Sequence, residues 1–218
     1  MSIVIIGAGP NLGAAVARRF GREGMGVGLI ARDAAKLDTL AGQLREDGLT
    51  AEVATADIRD TDALTRAIAT LAERLGPVEV LEYSPLPARA FMKPILETTV
   101  EDVRGPLEFS VLGAVAAARA VVPGMLERGA GTILYTTGGA AIAPYPLRAG
   151  VGISFAGEVA YARMLHEELA PRGIHVGHTA IGGIIAPGGA HEPADVAELL
   201  WREHHQARDR FQIRIGID

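Results

Sequence analysis

The chain has 218 residues, a formal net charge of −5, 49% hydrophobic and 22% charged residues, and no cysteine. Such a length suits one sizeable core. The mixed charge gives no basic footprint for nucleic acid. The missing thiols exclude disulfides, thiolate nucleophiles and Cys-ligated zinc, and suit a reducing, cytoplasmic setting. The apolar run Ser2–Ile6 has no basic stretch before it and stops at Gly7, short of a signal segment or a membrane span.

Short β-branched runs alternate with segments of helical period, the pattern of a parallel sheet with crossover helices. Strands are predicted at about 2–6, 26–31, 51–56, 78–83, 131–136, 174–180 and 211–217. The second helix opens at Asp33 as N-cap. The third opens near Asp60, with Leu64, Ile68, Leu71 and Leu75 as one apolar stripe. Thr99 and Asp102 read as a capping box, and Gly105-Pro106 should break or restart the helix that follows. A long apolar helix is expected at about 106–127, another at about 150–170, and a last amphipathic one at about 193–209. The sum is one α/β domain, residues 1–218, with about seven mostly parallel strands flanked by helices.

After the first strand comes Gly7-Ala8-Gly9-Pro10-Asn11-Leu12-Gly13, running straight into Ala14-Ala15-Val16. A strand, a glycine-rich turn and a helix N-terminus in that order make a Rossmann-type anion site, where free amides and the helix dipole face a pyrophosphate. Gly7 allows the tight turn, Gly9 the close backbone approach and Gly13 the close packing of the helix. The second strand ends Ala31-Arg32, with no acid to hold a ribose 2′-hydroxyl. An arginine fork there matches a 2′-phosphate, so NADP(H) is favoured over NAD(H). Asp57, followed by Ile58, can accept from the adenine amino group or cap the next helix.

On these residues the chain resembles the short-chain dehydrogenase/reductase family along nearly its whole length. The glycine loop is similar to the family's Gly-x-x-x-Gly-x-Gly, with Asn11 for the middle glycine. Asparagine tolerates the left-handed conformation. Asp57-Ile58 resembles the adenine motif, Gly76-Pro77-Val78-Glu79-Val80-Leu81 the approach to the fourth strand, and Gly129-Ala130-Gly131-Thr132-Ile133 the fifth. The resemblance implies that Tyr83 and Ser84, where the family has two asparagines, lie beside the cofactor. It also implies a catalytic serine, a tyrosine proton donor and a lysine four residues later. Here those positions are Gly138 (Thr137 if the register slips by one), Val151 and Phe155. The family's helix asparagine becomes Ser110, and its Pro-Gly beside the nicotinamide becomes Ile181-Gly182. No tyrosine in the chain has a lysine four residues on, so the usual mechanism is not available. The segment between Gly182 and Pro193 is also short for the family's helical lid, which predicts an open site.

A replacement proton donor must then come from the strands' C-terminal ends. Tyr145 is the first candidate, Thr136 and Thr137 could position a carbonyl, and Ser154 should sit near the nicotinamide. Glu82 ends the fourth strand beside Tyr83. His175 and His178, three apart on a strand, face opposite ways, so no shared metal site is expected. His191, His204 and His205 read as solvated. The helix at about 150–170 is apolar on several sides, which predicts burial against both the sheet and a second copy, in a homodimer or homotetramer. Two functions follow. One is an atypical NADP(H)-dependent oxidoreductase on an unknown carbonyl or hydroxyl small molecule. The other is a non-redox descendant: a nucleotide-binding sensor or scaffold, or an isomerase or lyase reusing the pocket.

Overall fold

A computed structural model of the protein describes residues 1–205 and 210–216. The strands are β1 (Ser2–Ile6), β2 (Gly26–Ala31), β3 (Ala51–Thr55), β4 (Val78–Tyr83), β5 (Gly131–Gly138), β6 (Ile174–Ile181) and β7 (Gln212–Ile215). The helices are α1 (Leu12–Gly21), α2 (Ala34–Glu46), α3 (Thr61–Leu75), α4 (Val100–Leu107), α5 (Gly113–Arg128), α6 (Ala149–Leu169) and α7 (Pro193–His204). The seven strands form one sheet in the order β3-β2-β1-β4-β5-β6-β7, every pair parallel. The order reverses between β1 and β4, which opens a crevice at the carboxyl ends of those strands.

Alternate side chains along each strand feed two cores. Ile3, Ile5, Val27 and Leu29 pack with α1, α2 and α7, whereas Val4, Ile6, Leu81 and Ile133 pack with α3, α5 and α6. Both faces are covered, which is why the strands read as continuous apolar runs. The caps fall where the sequence puts them. Asp33 accepts from Lys36 N at 3.1 Å, Asp60 accepts from Ala63 N at 2.9 Å, and Thr99 with Asp102 forms a reciprocal capping box.

Several boundaries differ from the sequence reading. β5 runs two residues beyond its expected end at 136, because its continuation pairs fully with β6 up to Gly138↔Ile181. The last helix ends at His204 and the last strand at Ile215. Of the rest of those two expected spans, His205, Phe211 and Gly216 lie in neither helix nor strand, and 206–209 and 217 lie outside the described residues. Gly105-Pro106 does not break the chain either. Pro106 lies inside α4, which continues through a π-turn, Glu108–Leu112, into α5. Proline removes one rung of the hydrogen-bond ladder, and the wider turn just beyond it absorbs the mismatch. Gly105 serves packing instead, since a Cβ there would stand 2.9 Å from Cε1 of Phe91. By length and composition, the continuous stretch Val100–Arg128 is apolar enough to cross a membrane. Here Ala114, Ala117, Ala118, Val121 and Met125 pack it into the domain's own core.

Candidate active site and cofactor cleft

Gly7 follows β1 with φ +89°, a conformation open to glycine, and a Cβ there would fall 2.5 Å from Pro85 Cα. The strand turn is therefore clamped beneath the segment that follows β4. A Cβ on Gly13 would stand 2.9 Å from Ala8 Cα, so that glycine lets α1 approach the loop. Gly9 differs: its Cβ would meet nothing nearer than Gly7 O at 3.9 Å. The fold leaves space there, which suits the approach of a ligand. Asn11 has φ −94° and makes no side-chain cap. The left-handed conformation expected of it is not used, because the loop turns at Gly7 instead. As at any helix start, the first-turn amides of α1 lack intrahelical partners.

In front of this loop opens a cavity of about 950 Å³, a size typical of small-molecule sites. Gly7, Gly9, Ala31, Arg32, Asp57 and Ile58, all expected beside a cofactor, line it. Leu12, Asn11 and Gly13 belong to the loop but not to the lining, and neither do Tyr83 and Ser84. Tyr83 is fully buried, its hydroxyl donating to Phe109 O, because its parity on β4 turns it toward α5. Ser84 donates to Glu82 Oε2 at 2.9 Å. The cavity also gathers two cations the sequence reading missed, Lys36 and Arg59. Lys36 stands three residues after the N-cap Asp33, one turn along and so on the same side of α2. Arg59 stands two after Asp57, whose carboxylate it grips, and its hydrogen bonds hold the Asp57 carboxyl below the usual range. With Arg32 these make three cations around one end of the cleft. Such a set fits the adenosine and phosphate half of a dinucleotide.

The catalytic positions carry different chemistry. Val151 and Phe155 are buried apolar side chains, and a Cβ on Gly138 would stand 3.5 Å from the Phe155 ring. Ser154 is buried with its hydroxyl turned back onto Val151 O at 3.3 Å, so it is spent on its own helix. Tyr145 is 43% exposed, with Arg148 Cζ 5.4 Å from its ring centroid. Thr137 is buried beside His178. None of Thr137, Tyr145 and Ser154 lines the cavity of the cofactor loop.

Two acids flank this end of the sheet. Glu82, fully buried, is pushed up to about 8 by desolvation, against the hydrogen bonds of Ser84 and Thr136. Glu158 on α6 is pushed up to about 8 by the same cause, and Ser110 donates to it. Burial thus favours the protonated form of both. Residue spacing carries no sign of this, since burial of a lone acid leaves no periodic pattern.

The segment 182–192 replaces a helical lid with a compact turn. Gly182 N donates to Ile215 O at 2.8 Å, and Gly182 O lies 2.6 Å from His191 Nε2. His191 is thus an anchor of this turn rather than a solvated side chain. His204 is likewise tied down, its Nδ1 2.8 Å from Thr132 Oγ1, and burial pushes its pKa down to about 4. No group of histidines and acids suited to a metal occurs among the described residues.

Comparison with known proteins agrees with this architecture. The short chain dehydrogenase family model matches residues 1–195. A 1-deoxy-11-beta-hydroxypentalenate dehydrogenase of Streptomyces exfoliatus is 29% identical, over 99% of this chain and 82% of its own. A short-chain dehydrogenase from Rhodopseudomonas palustris superposes with a TM-score of 0.87 at 27% identity, over 100% of this chain and 98% of its own. A single-substitution variant of actinorhodin polyketide ketoreductase, solved with NADPH, gives a TM-score of 0.88 at 24% identity, over 99% and 96%. The chain belongs to the short-chain dehydrogenase/reductase family.

Proposed function

We propose that the protein is an atypical NADP(H)-dependent oxidoreductase acting on a carbonyl or hydroxyl group of a small molecule. The observation that carries this reading is the cleft itself, in which a glycine loop with open space at Gly9 faces Arg32, Lys36 and Arg59. Those cations suit a 2′-phosphate, which favours NADP(H) over NAD(H). Bound there, the cofactor supplies or accepts a hydride. The chain's own part is to hold the adenosine and phosphates and to present a polarising group at the ends of β5 and β6. Hydride transfer needs a placed nicotinamide and a polarised acceptor, so loss of the tyrosine and lysine slows the reaction without forbidding it. Thr137 and the exposed Tyr145 are the proposed sources of that polarising group, and Ser154 is the weaker third. The working form is a homodimer or homotetramer, in the cytoplasmic setting that a cysteine-free chain suits.

Titration with NADPH and NADH, followed by a carbonyl panel with NADPH, tests the reading. Micromolar NADPH binding with turnover is the expected result. Loss of turnover in Tyr145→Phe would single out that residue as donor. Failure to bind either dinucleotide would end the oxidoreductase reading. The second reading, a nucleotide-binding sensor or an enzyme of non-redox chemistry, is favoured by the apolar Val151 and Phe155. It predicts NADPH binding without carbonyl turnover.

A further inference from the structure

The cleft is divided by polarity. Among the described residues, the polar side chains on its wall all belong to the stretch 32–59, at the carboxyl ends of β2 and β3 and on α2. The opposite wall, from the segment after β4 and the π-turn before α5, is apolar throughout: Pro85, Leu86, Ala88, Ala90, Phe91 and Phe109. The Phe91 and Phe109 rings meet edge to face with centroids 5.7 Å apart. Both pack in the apolar cluster that holds Val151 and Phe155. The loop carrying Phe91 is tied to the first turn of α6. Ala149 N donates to Lys93 O at 3.0 Å, and a Cβ on Gly150 would stand 2.9 Å from Phe91 O. The apolar wall therefore adjoins the helix turn of Val151, where the family has its proton donor.

Such a wall favours one kind of acceptor. Hydride transfer from a reduced nicotinamide to a neutral carbonyl turns two uncharged groups into two charged ones, an alkoxide and an oxidised nicotinamide. An alkoxide forming against apolar side chains, with no donor aimed at it, is costly. Transfer to an iminium ion creates no new charge, because the positive charge passes from the acceptor to the nicotinamide. An apolar surround penalises separating charges and leaves this exchange unopposed. The faces of Phe91 and Phe109 attract a cation through the ring quadrupole. Arg32, Lys36 and Arg59 stand on the other wall, where the cofactor's phosphates meet their charge.

We propose that the protein reduces apolar iminium ions, with Phe91 and Phe109 as the faces against which the cationic acceptor lies. This rests on the NADP(H)-dependent oxidoreductase reading and adds an acceptor that needs no hydroxyl beside it. The hydride forms a C–H bond at the iminium carbon, the C=N π pair moves onto nitrogen, and the products are a neutral amine and the oxidised cofactor. No proton enters, so the reaction does not call on the missing tyrosine and lysine.

Binding and turnover on the full chain test this. N,N-dimethyl tetrahydroisoquinolinium, a quaternary cation that cannot accept hydride, should bind the NADPH-loaded protein in calorimetric titration. Phe91→Leu and Phe109→Leu should each weaken it about 10-fold, the scale of a desolvated cation–π contact, with NADPH affinity unchanged. Phe91→Tyr, which keeps the ring face, should retain it. The wild type should reduce N-methyl dihydroisoquinolinium to its amine faster than NADPH alone does in solution. It should turn over α-tetralone, the matching ketone, at least about 10²-fold more slowly, as befits a carbonyl without its donor. Equal binding of the quaternary cation by the wild type and both leucine variants overturns this proposal alone, as does turnover of α-tetralone at or above the iminium rate. NADPH binding without turnover of any acceptor, or failure to bind NADPH, overturns the oxidoreductase reading and this proposal with it.

Discussion

Arg59 grips Asp57 through both carboxylate oxygens, Nη2 to Oδ2 at 2.9 Å and Nε to Oδ1 at 3.3 Å, on the wall of the cofactor cleft. The Arg59 backbone N–H adds a third bond to Oδ1 at 3.0 Å. Asp57 is thus a well-held anion whose charge is met locally, and Arg32 is left to face a ligand. A charge-assisted hydrogen bond contributes about 1.5–3 kcal/mol, or roughly 10–100-fold in affinity. Arg32→Ala should therefore weaken NADPH by about that factor and leave NADH nearly unchanged, as read by calorimetric titration. Raising the salt should narrow the preference in the wild type. Equal losses for both dinucleotides would mean that Arg32 does not meet the 2′-phosphate.

The three loop glycines separate folding from binding. Gly9→Ala should change stability by no more than about 0.5 kcal/mol, as at an uncrowded surface position, and should still abolish tight NADPH binding. Gly7→Ala combines a positive φ with a backbone clash against Pro85 and should cost about 1–3 kcal/mol for the strain alone. Gly13→Ala meets Ala8 and should cost about 1–3 kcal/mol by overpacking. Urea unfolding of all three, beside NADPH titration, checks the pattern. A destabilised Gly9→Ala would show that the fold itself needs that glycine.

The fold was legible because its signals are local. Continuous β-branched runs and segments of helical period, the caps Asp33, Asp60 and Thr99, and the glycine loop each act within a few residues of chain. The site was legible only where it is equally local. Arg32 follows directly from a strand end, but Arg59 reaches the cleft by way of its pair with Asp57, and Lys36 through the pitch of α2. The His178–Thr137 contact joins residues 41 apart on adjacent strands, and that depends on sheet register, which no sequence spacing discloses. Tyr83 was misplaced for the same reason, because its direction is set by strand parity rather than by its alignment with an asparagine.

Glu158 makes stability depend on pH. It is 2% exposed, and burial, with Glu82 adding, pushes it up to about 8 from an ordinary value of 4.5, against the hydrogen bond from Ser110. Below pH 4.5 both native and unfolded chains carry its proton, and its contribution is fully present. Between 4.5 and 8 only the native chain keeps the proton, so stability falls as pH rises, by about 1.4 kcal/mol per unit for this one group. Above 8 the loss is complete. Glu158→Gln should remove that slope, so that the variant gains on the wild type steadily from pH 5 to pH 8 in urea midpoints. A constant difference between the two across that window would mean that Glu158 is ionised in the folded protein.

The outer side of α6 bears on assembly. Ile153 and Met164 are 45% and 61% exposed, and Ala156 and Ala160 lie exposed between them at helical spacing. Leu112, beside α6 through the packing of Val111 on Gly157, is 50% exposed and extends the same apolar surface. Small residues flanked by large apolar ones let a second helix approach closely and bury that area. The expected outcome is a dimer or tetramer mass by light scattering at micromolar concentration, falling to the monomer in the double variant Ile153→Glu, Met164→Glu. Both substitutions sit on the solvent side of α6, so the variant should retain the helical circular dichroism of the wild type. A monomeric wild type would mean that this face stays in water, and its apolar character would then need another explanation.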